Sequence, residues 1–338
     1  MRRTENAGLI MHTKKILFVT IASGVAASTR VRVHNLVPEL EKRGFSAKTV
    51  RFPKTLPDQL ALLRLCRQSD VVFLQKRTPT LLYGSILRLF SRRLIYDFDD
   101  AIYYKPNDPD DTKDPQRLRR FENIVRIADL VIAGNDILAD EARKHNPRCT
   151  VLPSAVETRN IPFKDYRKSG DKFVIGWVGN IINLPCLEQL APAFRELAKR
   201  HAIQLRIISG ETLDVPGIET VFIPWAAETQ DAEICQFDVG VMPLFDYPHT
   251  RGKCAYKALQ YMAAGVPPVV SDVGINSRVV EHGVSGFVAR NFCDYVSCIE
   301  QLIVDRSLIA RMGEKAKARI RAQFSVECVG RALAGMLD

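Results

Sequence analysis

The 338-residue sequence lacks several signals that would assign it directly to a common class. None of its eight cysteines forms a Cys-x-x-Cys pair, and neither a zinc-finger spacing nor an aromatic-basic ribonucleoprotein motif is present. These absences argue against nucleic acid as a partner. No apolar run reaches the length of a transmembrane helix. The loop after the first predicted strand contains a single glycine, Gly24, so the Gly-x-Gly-x-x-Gly dinucleotide motif is missing too.

The composition that is present describes a globular protein with room for two domains. Apolar residues make up 46% of the chain and charged residues 25%, and we find no internal repeat. The net charge of +10 favours anionic partners such as nucleotide phosphates or an acidic membrane surface. Scattered cysteines predict reduced, mostly buried thiols and a cytoplasmic location. Residues 1–13 are polar and predict a disordered lead, and the apolar run after Lys15 predicts a buried strand rather than a signal peptide.

Residues 237–288 carry the strongest pattern in the chain. A β-branched apolar run over residues 237–242 predicts a buried strand, and a polar loop follows it. From Lys253 the apolar spacing becomes that of a helix, which Gly265 ends, and residues 269–270 open the next buried strand. Strand, loop, helix and strand form one unit of a parallel α/β sheet. Ligands of such sheets bind where the strands end and helix N-termini present unpaired N–H groups.

The same alternation of strands and helices runs through most of the chain and predicts two α/β domains. The first is expected over residues 14–160 and the second over residues 172–322. A proline-containing, charged stretch over residues 161–171 predicts the linker between them. A further helix is predicted over residues 323–338.

The sequence YMAAGVPPVVSDVG, followed by VVEHGVSGFV, resembles the donor-binding half of retaining glycosyltransferases with the GT-B fold. The resemblance covers Phe173 to Arg290 and is fainter over the first domain. It implies two Rossmann-like α/β domains with parallel sheets facing an interdomain cleft, and a last helix that crosses back to the first domain. It also implies a nucleotide-sugar donor on the second domain and a glycan or lipid-linked glycan acceptor on the first, with retention of configuration.

The sequence departs from that family at two positions. In the family, one glutamate holds the donor's ribose, and another, eight residues earlier, contacts the sugar or its phosphates. Here Gln260 and Gly252 occupy these positions. A Gln amide can accept from one ribose hydroxyl and donate to another, but it carries no charge. This departure keeps a non-catalytic nucleotide-sugar-binding protein open as an alternative.

The resemblance also implies which residues bind the donor. The loop GWVGNIINLP has neither the Arg nor the Lys that the family often supplies to the diphosphate. We expect the missing charge from the neighbouring loop and favour Lys253 over Lys257, because a departing diphosphate needs positive donors. The candidate donor-binding residues are Gly179, Asn180, Trp225, Arg251, Lys253, Lys257, Gln260, Gly274 and Asn276. Trp225 would stack on the base, and a core or interdomain role is its alternative.

Three residues near the start of the chain are candidates for the acceptor or phosphate side of the cleft. Ser28 can cap a helix that the pattern predicts as far as Arg43. Arg30 and Arg32 lie in its first turn, where positive charge opposes the helix dipole unless an anion is bound. A solvated arginine is the competing interpretation.

The sequence Asp97-Phe98-Asp99-Asp100 ends a predicted buried strand and has three interpretations. Asp97 and Asp99 match the nucleophile and acid of haloacid-dehalogenase-type phosphatases. The Asp-x-Asp pattern also matches the metal-binding motif of GT-A glycosyltransferases. In a GT-B protein, Asp99 and Asp100 would face the donor sugar and act with Lys253 as catalytic residues. We favour the third interpretation because it accounts for the second domain, and it implies no metal and no cofactor.

Residues 79–91 predict a helix with a broad apolar face that Arg88, Arg92 and Arg93 flank. One interpretation is a helix packed on the sheet. The other is a surface that faces an anionic membrane, which would make the protein peripheral on the inner face of the membrane.

Overall fold

The computed structural model describes residues 13–22, 26–105, 114–167 and 170–338. All but the last residue of the lead predicted over 1–13 lies outside the described residues, and so does Gly24. The described residues form two six-stranded parallel sheets with helices around them. The predicted α/β class is confirmed.

Six parallel strands form the first sheet. They are β1 (Lys14–Thr20), β2 (Phe45–Arg51), β3 (Val71–Gln75), β4 (Leu94–Phe98), β5 (Leu130–Ala133) and β6 (Cys149–Val151). In space they run in the order β2-β1-β3-β4-β5-β6. Strands β3 and β4 are buried along their whole length, which is why their sequences are continuously apolar until the polar residues at their ends.

The helices of the first domain include one departure from the predicted pattern. They are α1 (Ala27–Thr29), a π-helical turn over Arg30–His34, α2 (Val37–Glu41), α3 (Leu56–Arg67), α4 (Leu81–Phe90), α5 (Pro115–Ile127) and α6 (Asp136–Arg143). The single capped helix predicted from Ser28 to Arg43 is wrong. Pro38 has no N–H to continue the helical hydrogen bonds. Neither Ser28 nor Thr29 caps the segment, because their hydroxyls instead bind side chains at the carboxyl ends of β4 and β3.

Six parallel strands also form the second sheet. They are β7 (Phe173–Val178), β8 (Ile203–Ser209), β9 (Glu219–Pro224), β10 (Val239–Met242), β11 (Pro268–Ser271) and β12 (Phe287–Ala289). Their order is β12-β11-β10-β7-β8-β9. Gly176 in β7 and Gly240 in β10 have no room for a side chain, because Phe237 and Tyr261 fill the space that a Cβ would take.

Helices also connect the strands of the second domain and follow the last of them. Its helices, with the one that follows it, are α7 (Leu184–Glu188), α8 (Ala191–Ala198), α9 (Gln230–Ile234), α10 (Pro248–Arg251), α11 (Tyr256–Ala263), α12 (Asn276–Val279), α13 (Phe292–Val304), α14 (Arg306–Gln323) and α15 (Val326–Leu337). Helix α11 begins three residues after the predicted Lys253, because Ala255 has a left-handed backbone with φ of 53°. Helices α7 and α8 follow each other closely after β7, with only two residues between them.

Helix α15 packs on the first domain rather than the second. Val329 and Leu333 of α15 lie in the same buried cluster as Phe18 of β1. Arg93 donates to the carbonyl oxygens of Met336 and Leu337, at 2.8 Å each, and so satisfies the end of this helix. Among the described residues, no helix is both long and apolar enough to span a membrane.

Candidate active site

A cavity of about 580 Å³ lies between the two domains, at the carboxyl ends of both sheets. We call it the interdomain cavity. Its lining from the first domain includes Ser28, Arg30, Lys76, Asp99 and Asp100, and its lining from the second includes Gly179, Asn180, Trp225, Gln230, Lys253, Lys257 and Gln260. The structure therefore brings together ten of the residues that the sequence singled out, and adds Lys76 and Gln230.

Two carboxylates form the first-domain wall of the interdomain cavity. Ser28 Oγ donates to both oxygens of Asp99, at 3.0 and 2.8 Å, and Lys76 Nζ lies 3.1 Å from Asp99 Oδ1. The Asp100 carboxylate forms ion pairs with Lys76 Nζ at 3.3 Å and with Lys253 Nζ at 3.2 Å. Because Lys253 belongs to the second domain, this last ion pair crosses the cavity.

The cations around Asp100 keep its carboxylate charged. Burial alone would raise its pKa, but the charges of Lys76 and Lys253, joined by His249 at acidic pH where its ring is protonated, outweigh burial and lower the pKa of Asp100 to about 2. The pKa of Asp99 is lowered as well, since Lys76 and Arg32 overcome the effect of burial. Neither group can therefore donate a proton near neutral pH. They can accept hydrogen bonds and stabilise positive charge.

Lys76 is a site residue that sequence reasoning missed. It follows the last residue of β3 and has a left-handed backbone with φ of 57°, which is rare for a residue other than glycine. Its N–H donates to the carbonyl oxygen of Asp97 at 2.6 Å, so the strained turn is held to the neighbouring strand. The turn directs the lysine side chain between the two carboxylates. The available signal was a basic residue at the carboxyl end of a buried strand.

Arg32 and Asp97 are buried beneath the interdomain cavity and do not line it. The Arg32 guanidinium pairs with both oxygens of Asp97 and donates to the carbonyl oxygen of Leu152 at 2.6 Å. Burial disfavours the charge of Arg32, but Asp97 outweighs burial and raises the pKa of Arg32. In this structure an internal carboxylate therefore occupies the guanidinium that was expected to meet an acceptor or a phosphate.

A short loop of the second domain, residues 252–254, packs against the first domain. Asn135 Nδ2 donates to the carbonyl oxygens of Gly252 and Lys253, at 3.0 and 3.3 Å. A Cβ on Gly252 would lie 2.7 Å from the Cβ of Ala101. Gly252 is one of the two positions at which the sequence departs from the resembled family. The contact explains the glycine, because a larger side chain would displace the loop.

The N-terminus of α11 opens into the interdomain cavity beside Lys257. No side chain caps this helix, and Cys254, Ala255 and Tyr256 line the cavity at its start. Lys257 Nζ lies 5.6 Å from the ring centre of Trp177, and none of the described carboxylates forms an ion pair with it. Burial and the nearby Lys253 lower the pKa of Lys257 to about 8. Helix N–H groups and an uncompensated cation together favour an anion here.

The far wall of the interdomain cavity consists of amide and aromatic side chains. Trp225 Nε1 donates to Gln230 Oε1 at 3.0 Å, and Gln260 Nε2 donates to the same oxygen at 3.2 Å. The guanidinium of Arg30 lies 5.7 Å from the ring centre of Trp225, across the cleft. Trp225 thus lines the cavity and also contacts the other domain, and its stacking on a base stays a prediction. Gln230 was not singled out from the sequence, because a glutamine at a helix start carries no distinctive signal.

Three of the predicted donor-binding residues do not line the interdomain cavity. Arg251 is more than half exposed and pairs with Asp246 at 2.7 Å, because α10 ends with its side chain outward. Gly274 has φ of 63° and lies so close to Arg251 that a Cβ would meet its carbonyl oxygen at 2.5 Å. Asn276 is fully buried and donates to the carbonyl oxygen of Ser271 at 3.0 Å. Gly274 and Asn276 therefore shape the loop after β11.

The described part of the chain contains no group of three or more His, Cys, Asp or Glu side chains that could hold a metal ion. His249 lies 3.4 Å from Asp100 through Nε2, and burial, together with the nearby lysines, lowers its pKa. It is therefore neutral near pH 7 and serves as a polar neighbour of the carboxylate.

Comparison with known proteins supports the same fold. Residues 172–305 match the family model of glycosyl transferases group 1. The chain is similar to a sucrose-phosphate synthase from Thermosynechococcus elongatus, with a TM-score of 0.75, 14% identity and coverage of 96% of this chain and 98% of that one. It is also similar to Anabaena HepE in complex with UDP-glucose, with a TM-score of 0.73, 16% identity and coverage of 96% and 99%.

Relatives of similar sequence are covered only in part. The capsular polysaccharide biosynthesis glycosyltransferase CapM of Staphylococcus aureus is 22% identical over 54% of this chain and 50% of the relative. The putative glycosyltransferase YtcC of Bacillus subtilis (strain 168) is 25% identical over 62% of this chain and 53% of the relative. The chain spans about half the length of these curated relatives. The predicted resemblance to GT-B-fold glycosyltransferases is confirmed, as is the GT-B fold of two Rossmann-like domains.

Proposed function

We propose that this GT-B-fold chain is a glycosyltransferase that moves a sugar from a nucleotide-sugar donor to a glycan or lipid-linked glycan acceptor, with retention of configuration. One observation carries the proposal. An open helix N-terminus with an uncompensated cation, Lys257, faces two ionised carboxylates, Asp99 and Asp100, across a single cavity. Such a cavity can bind a diphosphate on one side and a sugar or hydroxyl on the other.

The donor's diphosphate is proposed to bind at the start of α11. The backbone N–H groups there have no capping side chain, and Lys257 gains a partner when an anion arrives. Lys253 and Arg30 approach from either side of the same cavity. As the bond to the sugar breaks, the diphosphate gains negative charge, so fixed positive groups stabilise the transition state more than the ground state. The similar HepE structure is in complex with UDP-glucose, so UDP-sugars are the first donors to test with this chain.

Asp99 and Asp100 are proposed to act on the sugar side of the reaction. Because both stay ionised, they serve as hydrogen-bond acceptors for a donor or acceptor hydroxyl and as countercharges to the positive sugar ring. With retention, the leaving phosphate itself takes the acceptor's proton, so no protein base is required. Domain closure around the donor would exclude water, which otherwise hydrolyses it.

A phosphatase is less favoured by the arrangement of Asp97. Both of its oxygens bind the buried Arg32, so its carboxylate is not available to attack a phosphate. A non-catalytic nucleotide-sugar-binding protein would bind the donor in the same way, and only a measurement of turnover distinguishes it from the enzyme. We further propose that donor binding needs no metal ion and that the protein works in the cytoplasm.

We also propose a peripheral contact of the first domain with an anionic membrane. The neighbouring helices α3 and α4 expose Leu56, Leu60, Leu82 and Leu89, of which the last is 79% exposed. Of the flanking arginines, Arg92 is 68% exposed. Arg93, in contrast, caps α15 and is not available to lipid.

Vesicle flotation tests the membrane contact. Vesicles of phosphatidylcholine with added phosphatidylglycerol should carry the protein at low salt, and the double variant Leu82→Ser, Leu89→Ser should remain unbound. Val304→Ser in the second domain, which removes an apolar side chain that is 75% exposed, is the matched control and should bind as the wild type does. Equal flotation of all three proteins would refute the contact.

The proposed donor site is tested by titration calorimetry with UDP, GDP and ADP in excess EDTA. We expect one of them to bind, and we expect Lys257→Met to weaken it. The matched control is Arg251→Met, which removes an exposed cation that is near in sequence but outside the interdomain cavity. Binding that disappears in EDTA and returns with magnesium would refute the metal-independent site.

A further inference from the structure

We infer that Gln230 is a positioning residue that holds the amide of Gln260 with its oxygen toward the interdomain cavity, so that the donor's ribose must offer a hydroxyl hydrogen there. The inference rests on the proposed function, because it assigns a role within the same donor site. It adds Gln230 as a positioning residue, and it fixes which end of the Gln260 amide faces the ligand, a choice that does not arise for the carboxylate of the family's glutamate.

The direction follows from the chemistry of the indole. Trp225 Nε1 can only donate a hydrogen bond, so the atom of Gln230 that lies 3.0 Å away must be the amide oxygen. Gln260 also contacts this oxygen, at 3.2 Å, and must therefore present its NH₂ group to it. The oxygen of Gln260 is left on the other side. Among the described residues, none donates to it.

Burial makes this arrangement selective. Gln230 is 6% exposed and Gln260 is 7% exposed, so water cannot readily replace a lost partner. If the amide of Gln260 rotated by half a turn, its oxygen would face the oxygen of Gln230. The amide of Gln230 cannot rotate to compensate, because it would then face the Trp225 N–H with its own NH₂ group. The indole N–H of Trp225 therefore fixes the orientation of the Gln230 amide, and Gln230 in turn fixes the orientation of the Gln260 amide at the cavity wall.

This arrangement accounts for the glutamine at position 260. A carboxylate there would have no hydrogen to donate to Gln230 Oε1, so two acceptors would face each other in a buried site. The amide satisfies Gln230 and still offers one acceptor oxygen to a ligand. A ribose hydroxyl can donate to that oxygen, whereas a deoxyribose lacking the hydroxyl leaves it unsatisfied.

The test compares nucleotide binding by the wild type with that by Gln230→Met, Gln230→Glu, Gln260→Met and the double methionine variant. Calorimetry measures the dissociation constants of UDP, GDP and ADP and of their 2′-deoxy and 3′-deoxy counterparts. For the nucleotide that binds, we expect the wild type to prefer the ribose form over one deoxy form by about three- to ten-fold. Gln260→Met should abolish the preference, and Gln230→Met should reduce it.

Two comparisons separate positioning from a general structural effect. Gln230→Glu keeps an oxygen for both donors and should preserve the preference. The double variant should lose no more preference than Gln260→Met alone, since Gln230 acts through Gln260. If Gln230→Met weakens the ribose and deoxyribose forms equally, the positioning role is refuted.

A spectroscopic measurement keeps the inference independent of nucleotide binding. Trp177 and Trp225 are the two tryptophans of the chain, so a Trp177→Phe background reports Trp225 alone. In that background, Gln230→Met should shift the ligand-free emission, because the indole N–H of Trp225 loses its acceptor. If the emission responds in this way but no nucleotide binds, the hydrogen-bond arrangement stands and the proposed function fails. If nucleotide binds and neither emission nor preference changes, the inference fails alone.

Discussion

Lys257 should make nucleotide binding depend on pH in a way that can be calculated. Burial and Lys253 lower its pKa to about 8, so in the free protein about half of the molecules carry a neutral lysine at pH 8. A bound diphosphate favours the charged form and raises this pKa. Because the bound state then holds the proton more tightly, binding takes up protons, and affinity falls as pH rises above 8. At pH 8 the uptake should be about half a proton per nucleotide, and at pH 7 only about a tenth.

Calorimetry in buffers of different ionisation enthalpy measures this uptake directly. In Lys257→Arg the charge is permanent, so nucleotide should still bind while the uptake at pH 8 disappears. Lys257→Met should abolish the uptake and weaken nucleotide diphosphate binding by about 1.5–3 kcal/mol, the usual cost of losing a charge-assisted hydrogen bond. Binding of the bare nucleoside should change much less. The same uptake in wild type and Lys257→Arg, or tight binding with no uptake at pH 8, would refute the role of Lys257.

Three further predictions concern Asp100, the buried pair of Arg32 and Asp97, and Gly252. Asp100→Asn should change the donor's dissociation constant by no more than a few-fold and should lower turnover by about 100-fold. Calorimetry measures the first and steady-state kinetics the second, and unchanged turnover would contradict the role of Asp100. Arg32→Met should lower the free energy of unfolding, measured by urea titration, by about 3–5 kcal/mol, because it leaves Asp97 buried without its partner. Adding Asp97→Leu should restore much of this loss, and a small effect of Arg32→Met alone would contradict the importance of the ion pair. Gly252→Glu, which inserts the side chain of the resembled family, should reduce turnover because it collides with Ala101, and increased turnover would refute the packing argument.

Much of the fold was predictable because buried parallel strands have simple sequence signatures. Strands β10 and β11 lie where the apolar runs predict them, since each run ends at polar or turn-forming residues. Strand β12 was missed because it has only three residues and no period can be read from them. The broken helix after β1 was missed because its turns are set by contacts with distant strand ends.

The candidate site was predictable only where a residue's position in the fold follows from its strand. Asp99 and Asp100 reach the cavity because they follow β4, and Trp225 does so because it follows β9. Arg32 shows the limit of this reasoning. Its partner Asp97 lies 65 residues away, and only packing decides whether an arginine meets an internal carboxylate or an external anion. Lys76 shows the same limit, since its direction depends on a rare backbone conformation.

The central claim is that the interdomain cavity transfers sugar from a nucleotide donor with retention of configuration. Proton NMR of the protein with UDP-, GDP- and ADP-sugars in excess EDTA tests this most directly, because the anomeric signals report consumption and configuration together. We predict that one donor is consumed, that its nucleoside diphosphate appears, and that the first sugar product has the donor's anomeric configuration. Asp100→Asn should slow this reaction. An inverted product, or no consumption of any donor with an acceptor present, would contradict the account.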